Sequence, residues 1–216
     1  TEFSSGLYST GLRMIQQMGL FVTGIMQRRK DGNDEQALIE IEEAYGRMTG
    51  LHASMVYGLS EDDIVNMMTA QGSIHPERFV AMAILLHEEG DIYSDHKQVN
   101  EALPRMQKAL RLYLEAWERS DTLRHETIPG LDQTIGWMAG YPITPRTRLL
   151  LLDYLGEKGR FDEAENLVVD WLDGESDDAL EYATGFYTRL LELSDAELIV
   201  GGLTRDEVRT GLEALG

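Results

Sequence analysis

The sequence contains no cysteine. That excludes disulfides, thiol nucleophiles and thiolate metal sites, and it fits a reducing compartment, so a cytoplasmic location is expected. Basic residues are scarce as well. Nineteen Lys and Arg stand against 38 Asp and Glu, and the formal net charge of −19 would repel phosphate and anionic lipid. Neither nucleic acid nor a membrane surface is therefore expected as a partner. The one dense apolar run, Gly19 to Met26, is too short to cross a bilayer and follows Arg13, Gln16 and Gln17. No small-residue cleavage site comes after it, so it does not read as a secretory signal. There is no phosphate loop, G-x-S-x-G elbow, H-E-x-x-H or dinucleotide fingerprint, and the five histidines are dispersed. Spacing thus identifies no nucleophile–base pair, and the chain is expected to be non-enzymatic and without a cofactor.

No stretch alternates apolar and polar residues long enough to make a strand; helical periodicity fills the chain instead. Leu12, Ile15, Met18, Val22 and Ile25 predict a first helix over Ser9 to Lys30. Met14, Phe21 and Met26 widen its apolar stripe so far that burial on several sides is expected. Asn33 with Gln36 reads as an N-cap pair before a helix from Asp34 to Met48. Ser60 opens a short helix to about Ala70. A long one begins near Pro76, with Phe79, Met82, Leu86, Ile92 and Tyr93 inward, and another runs from Val99 to Ser120. A helical pattern from His125 to Met138 contains Ile128-Pro129-Gly130 as an irregularity. Thr144 caps a helix through Lys158 with Pro145 in its first turn, and Phe161 and Ser176 begin two more. Ser194 to Glu197 and Thr204 to Glu207 are two capping boxes. At 216 residues the material suffices for one all-α domain spanning residues 1–216.

Three segments share a pattern, beginning at Gly32, Lys97 and Gly159. Five positions after each turn residue come Ala37, Ala102 and Ala164; then Ile41, Met106 and Val168; then Ala44, Ala109 and Trp171. Offsets of four and three put these on one helical face, where the small residue admits a neighbouring helix and the large one fills the gap. The pattern resembles the second helix of the tetratricopeptide repeat, and Gly90-Asp91-Ile92-Tyr93 resembles the Gly-x-x-Tyr of its first helix. Lys97 stands where the turn glycine is usual, Glu89 where an apolar residue is, and Pro104 falls early in a second helix. The expected architecture is a set of antiparallel hairpins stacked as a tetratricopeptide-like superhelix, with a degenerate repeat between each clear pair.

The layout also resembles a family of uncharacterised bacterial proteins, a domain of unknown function with a tetratricopeptide-like fold. The resemblance rests on Arg13-Met14-Ile15-Gln16-Gln17, Glu89-Gly90-Asp91-Ile92-Tyr93, Gly159 through Glu165, and Gly202-Leu203-Thr204-Arg205-Asp206-Glu207-Val208. It implies a fold and no activity.

His87, Asp91 and Asp95 lie one turn apart on a single helical face. An imidazole and two carboxylates suit a divalent metal, but ligands along one straight helix do not converge on one ion, so no metal is expected. In a tetratricopeptide array these are groove-lining positions. Their counterparts are Val22, Met26 and Lys30, and Leu149, Asp153 and Glu157, with Arg146 one turn earlier. The expected partner groove is therefore Met26, His87, Asp91, Asp95, Arg146 and Asp153, suited to a protein or peptide. Between Phe161 and Leu198 there are twelve acidic residues and one basic, which favours a partner carrying basic residues. Two alternatives stand beside this reading: a small-molecule sensor or enzyme using the groove, and a homodimer built through the first helix.

Overall fold

A computed structural model describes residues 17–70, 75–174 and 177–216, the side chain of Asp177 excepted. The protein is all-α, with no strand among these residues. The expected start of the first helix, the stretch before Pro76 and the Ser176 cap lie outside the described residues. Contacts divide the chain into two compact units, Thr1–Ile143 and Thr144–Gly216, each described by itself.

The first unit is built on two 20-residue helices, α5 (Pro76–Asp95) and α6 (Val99–Glu118), paired as a hairpin. Around them come α1 (17–30), α2 (Asp34–Thr49), α3 (Ala53–Gly58), α4 (Glu61–Thr69), α7 (Asp121–His125) and α8 (Leu131–Met138). Phe79, Met82, Leu85, Leu86, Met106, Tyr113 and Trp117 are at most 1% exposed. Each such side chain contributes about 1.5–3 kcal/mol by leaving water. Gly90 lets α6 approach, since a Cβ there would meet Met106 at 3.0 Å.

The second unit contains α9 (Pro145–Glu157), α10 (Phe161–Leu172), α11 (Asp177–Leu191), α12 (Asp195–Val200) and α13 (Arg205–Glu213). Helix α10 packs between α9 and α11, and α11 packs also on α13. The Phe161 and Asp162 amides both donate to the Gly201 carbonyl, at 2.9 and 3.0 Å, and tie the start of α10 to the end of α12.

Four helix ends close in the same way. Gly32, Lys97, Gly159 and Gly202 are left-handed, with φ of 73°, 62°, 67° and 88°. In each case the next amide reaches back five residues: Asn33 to Arg28, Gln98 to Tyr93, Arg160 to Leu155 and Leu203 to Leu198, at 2.9–3.0 Å. These are Schellman closures, in which orphan carbonyls of the last turn are satisfied and the chain reverses. Lys97 adopts the glycine conformation without being glycine, at a backbone cost of about 1–2 kcal/mol. After these turns Ala37, Ala102 and Ala164 are fully buried, as are Ile41 and Met106, and Val168 is 1% exposed.

Several local expectations are corrected. Asn33 makes no side-chain cap; its own amide completes the Gly32 closure, and Gln36 instead donates to Glu40 at 3.3 Å. Thr144 makes no cap either, because its hydroxyl pairs with that of Thr147 at 2.8 Å. Pro104 lies beyond the first turn of α6, so the Asn100 carbonyl loses its helical donor. The His125–Met138 pattern reduces to α8, since α7 ends at His125 and residues 126–130 are not helical. Both capping boxes, at Ser194 and Thr204, form. Helix α1 is not buried on several sides: Met18 and Ile25 face inward, whereas Leu20 is 77% exposed and Met26 49%.

Candidate binding cavity

Three consecutive ionisable residues, His87, Glu88 and Glu89, are buried in the middle of α5. Successive residues of a helix point about 100° apart, so the three side chains reach three different neighbours. His87 meets α8, Glu88 meets α1, and Glu89 meets α2, α3 and α6.

Glu89 is fully engaged. Its carboxylate accepts from Tyr45 at 3.0 Å, from the Tyr57 hydroxyl, and from Arg105 Nε at 3.2 Å. Arg105 in turn stacks on Tyr57 and Tyr93, its guanidinium carbon 4.6 and 4.5 Å from the ring centroids. Burial raises the Glu89 carboxyl's pKa, while the two tyrosines and Arg105 oppose the rise. A carboxylate is accommodated here because polar partners converge on it from three helices.

The His87–Glu88 side is different. His87 Nδ1 lies 2.9 Å from the Thr134 hydroxyl, which donates its only proton to the Gly130 carbonyl at 2.8 Å. The hydroxyl must therefore accept from Nδ1, and Nε2 keeps a lone pair. Burial lowers the His87 pKa, Asp91 raises it and Arg29 lowers it, so the ring is held neutral near pH 7. Nε2 sits 3.8 Å from Asp91 Oδ2. Glu88 Oε2 is buried without a hydrogen bond, 3.6 Å from Arg29 Nη1. Desolvation pushes its carboxyl up to about 7, with Arg29 opposing. Arg29 also lies 3.6 Å from Asp91 and 2.7 Å from Asp95. On α6, the Tyr113 hydroxyl is buried and has no partner. Burial, Glu88 and Asp91 raise its pKa and keep it a neutral phenol. A Cβ at Gly130 would collide with that hydroxyl, so left-handed Gly130, with φ 87°, leaves it room.

These groups border a half-open cavity of about 350 Å³. Val22 and Met26 of α1, Ile84 of α5 and Pro129 form its apolar wall; Arg29, His87, Glu88, Asp91, Tyr113 and Gln133 form its polar one. Among the described residues, no group of three or more His, Asp or Glu side chains is placed to hold a metal ion.

Of the residues expected from the sequence, Met26, His87 and Asp91 come together here. Asp95 lies one turn on, with a 71% exposed side chain, and pairs with Arg29. His87 is buried rather than presented to solvent, because α8 covers it. Arg146 and Asp153 belong to the second unit. Arg146 is exposed at the start of α9, and Asp153 borders a separate cavity of about 440 Å³ with Tyr182, Phe186 and Arg189. Sequence reasoning missed Glu88, Arg29 and Tyr113. The signal for Glu88 was present as an ionisable triplet interrupting the apolar run Ile84-Leu85-Leu86; nothing local marked Tyr113 as lacking a partner.

The fold and cavity define an all-α protein of paired helices with a polar recess beside its longest hairpin. Residues 10–216 match the family of unknown function DUF6483, and the chain belongs to that family. No curated protein and no solved structure matches it. No helix among the described residues is long and apolar enough to cross a membrane.

Proposed function

We propose that this chain is a non-enzymatic helical-repeat module that binds a protein or peptide carrying basic residues, with the α1–α5–α6–α8 cavity receiving one side chain. The observation that carries the reading is the uncommitted polar floor of that cavity. Buried polar atoms are ordinarily hydrogen-bonded, so Tyr113 Oη, which makes no hydrogen bond, and Glu88 Oε2, which has only Arg29 at 3.6 Å, suit a ligand in the half-open cavity that their residues border. A tetratricopeptide-like superhelix is supported by the shared Schellman closures, the buried small–large–small faces of α2 and α6, and the buried Ala164–Val168 pair of α10. The surplus of acidic residues adds attraction and faster association for a basic partner. A cytoplasmic location is part of the proposal, on the absence of cysteine.

Selection from a random peptide library on the full chain tests this. Enrichment in basic residues is expected, and its loss with Glu88→Gln combined with Asp91→Asn. Peptides without charge preference, or enriched in acids, would overturn the reading. One observation favours a second reading, a small-molecule sensor or enzyme: a histidine lone pair and a carboxyl with a pKa near neutrality adjoin a recess of small-molecule size. A metabolite panel that raises the melting temperature, when no peptide does, would select it.

A further inference from the structure

We infer that the α1–α5–α6–α8 cavity is a site for a primary alkylammonium group, held by His87 Nε2, Glu88, Asp91 and the Tyr113 hydroxyl. The inference deepens the binding-module reading and rests on it for the source of the ligand.

The chemistry follows from a count of donors and acceptors. His87 Nε2 offers a lone pair, because Nδ1–H is committed to Thr134. Tyr113 Oη makes no hydrogen bond, and Glu88 Oε2 makes none either, having only the Arg29 guanidinium at 3.6 Å. Asp91 Oδ2 lies 3.8 Å from Nε2 and 3.6 Å from Arg29. The recess is thus rich in acceptors, and its one cation, Arg29, is already shared among Glu88, Asp91 and Asp95. A ligand complementary to it brings several N–H donors and positive charge. An ammonium has three donors on one atom and no acceptor, whereas a guanidinium needs a flat fork of acceptors. Val22, Met26, Ile84 and Pro129 make the apolar wall that a methylene stem requires. A bare divalent ion fits poorly, since the described carboxylates and histidines do not converge on a point.

Proton linkage follows. The charged and titratable groups around Glu88 are Arg29 on α1, His87 and Asp91 on α5, and Tyr113 on α6; Gln133 on α8 is neutral. An entering cation lowers the Glu88 pKa from about 7, so binding releases a proton and tightens as pH rises through that value.

The test titrates the full chain with Nα-acetyl-lysine amide and with cadaverine, using the norleucine and arginine amides and magnesium and zinc ions as comparisons. It follows the His87 imidazole resonance and, by calorimetry in buffers of different ionisation enthalpy, proton release. Saturable binding of the two amines with proton release near neutrality is expected, and no effect of norleucine. Glu88→Gln should weaken binding about tenfold or more and abolish proton release; Tyr113→Phe should weaken it by a smaller factor. Melting curves establish that both variants fold. The order of the two amines says whether a side chain or a small amine is the natural source, and either order upholds the site. The inference is overturned by absence of saturable amine binding, by arginine binding as tightly as lysine, by metal ions alone shifting His87, or by both variants binding as the wild type does. If lysine peptides bind the chain while amines leave His87 unmoved, the site falls and the module reading stands. If amines bind and no peptide is selected, the reverse holds.

Discussion

The α5–α6 and α9–α10 hairpins close with the same Schellman geometry and carry the same buried alanine after it, yet they bury very different chemistry. Thirteen of the 20 residues of α5 are buried, His87, Glu88 and Glu89 among them. Helix α10 buries two of 12, Ala164 and Val168. Arg111 and Glu115 on α6 are also buried, and Arg111 Nε donates to Glu115 at 2.8 Å, whereas the second unit's only buried polar residue among those described is Thr147. A long helix wrapped by neighbours has no solvent face to which charge can be assigned. Its ionisable residues must find partners inside, as Glu89 does with Tyr45, Tyr57 and Arg105. A short helix with an open face meets no such demand.

The sharpest way to break this comparison is to remove a buried partner in the first hairpin. Glu89→Ala leaves two tyrosine hydroxyls without their acceptor and Arg105 hydrogen-bonded to Glu101 alone, and should cost about 3–5 kcal/mol in denaturant unfolding. A loss under about 1 kcal/mol would show the cluster to be solvated, like an exposed pair. Next comes the feature the hairpins share. Ala102→Leu and Ala164→Leu should each overpack a closed helix contact and cost about 1–3 kcal/mol. An effect in one hairpin alone would show that the common turn does not bring common packing.

A smaller effect separates the hairpins by pH. Glu88 holds its proton more tightly folded than unfolded, its pKa rising from 4.5 to about 7. Its contribution is therefore fully present below the unfolded value and is lost as pH rises through about 7. His87, with a lowered pKa, acts in the opposite sense, its contribution being fully present above its unfolded value and lost as pH falls through its lower folded value. Comparison of Glu88→Gln with wild type isolates the carboxyl. The variant should gain about 1–2 kcal/mol relative to wild type between pH 5 and pH 8, and urea midpoints across that range would show it. The smallest effect lies in the turns. Lys97→Gly should stabilise by about 0.5–1 kcal/mol, because glycine relieves the left-handed strain at some entropic cost, while Gly159→Lys should destabilise by a similar amount. Equal midpoints for both variants and the wild type would show that neither turn carries left-handed strain, and a change at one turn alone that the two are not equivalent.

Much of the helical layout was legible in the residues. Capping boxes at Ser194 and Thr204, Pro76 and Pro145 in first turns, and the small-then-large faces after Gly32, Lys97 and Gly159 are local patterns that depend on few neighbours. Lys97 could even be placed in a glycine's position from its register alone. The caps at Asn33 and Thr144 failed because each side chain or amide had a competing local bond. The exposure of Leu20 and Met26 escaped periodicity because an apolar stripe says which faces could be buried, not how many neighbours arrive.

The cavity divides along the same line. The one-turn spacing of His87 and Asp91 follows from helix geometry, and so the sequence determined that they share a face. Only the tertiary structure decided that Thr134 fixes the imidazole tautomer, that Arg29 is shared among three carboxylates, and that the Tyr113 hydroxyl and Glu88 Oε2 are buried without a hydrogen bond beside one recess. Helical register is set by interactions between residues three and four apart, whereas the satisfaction of a buried polar atom depends on groups from other helices, distant in the chain as His87 and Thr134 are, separated by 47. Which acceptors remain open is settled only when those helices pack.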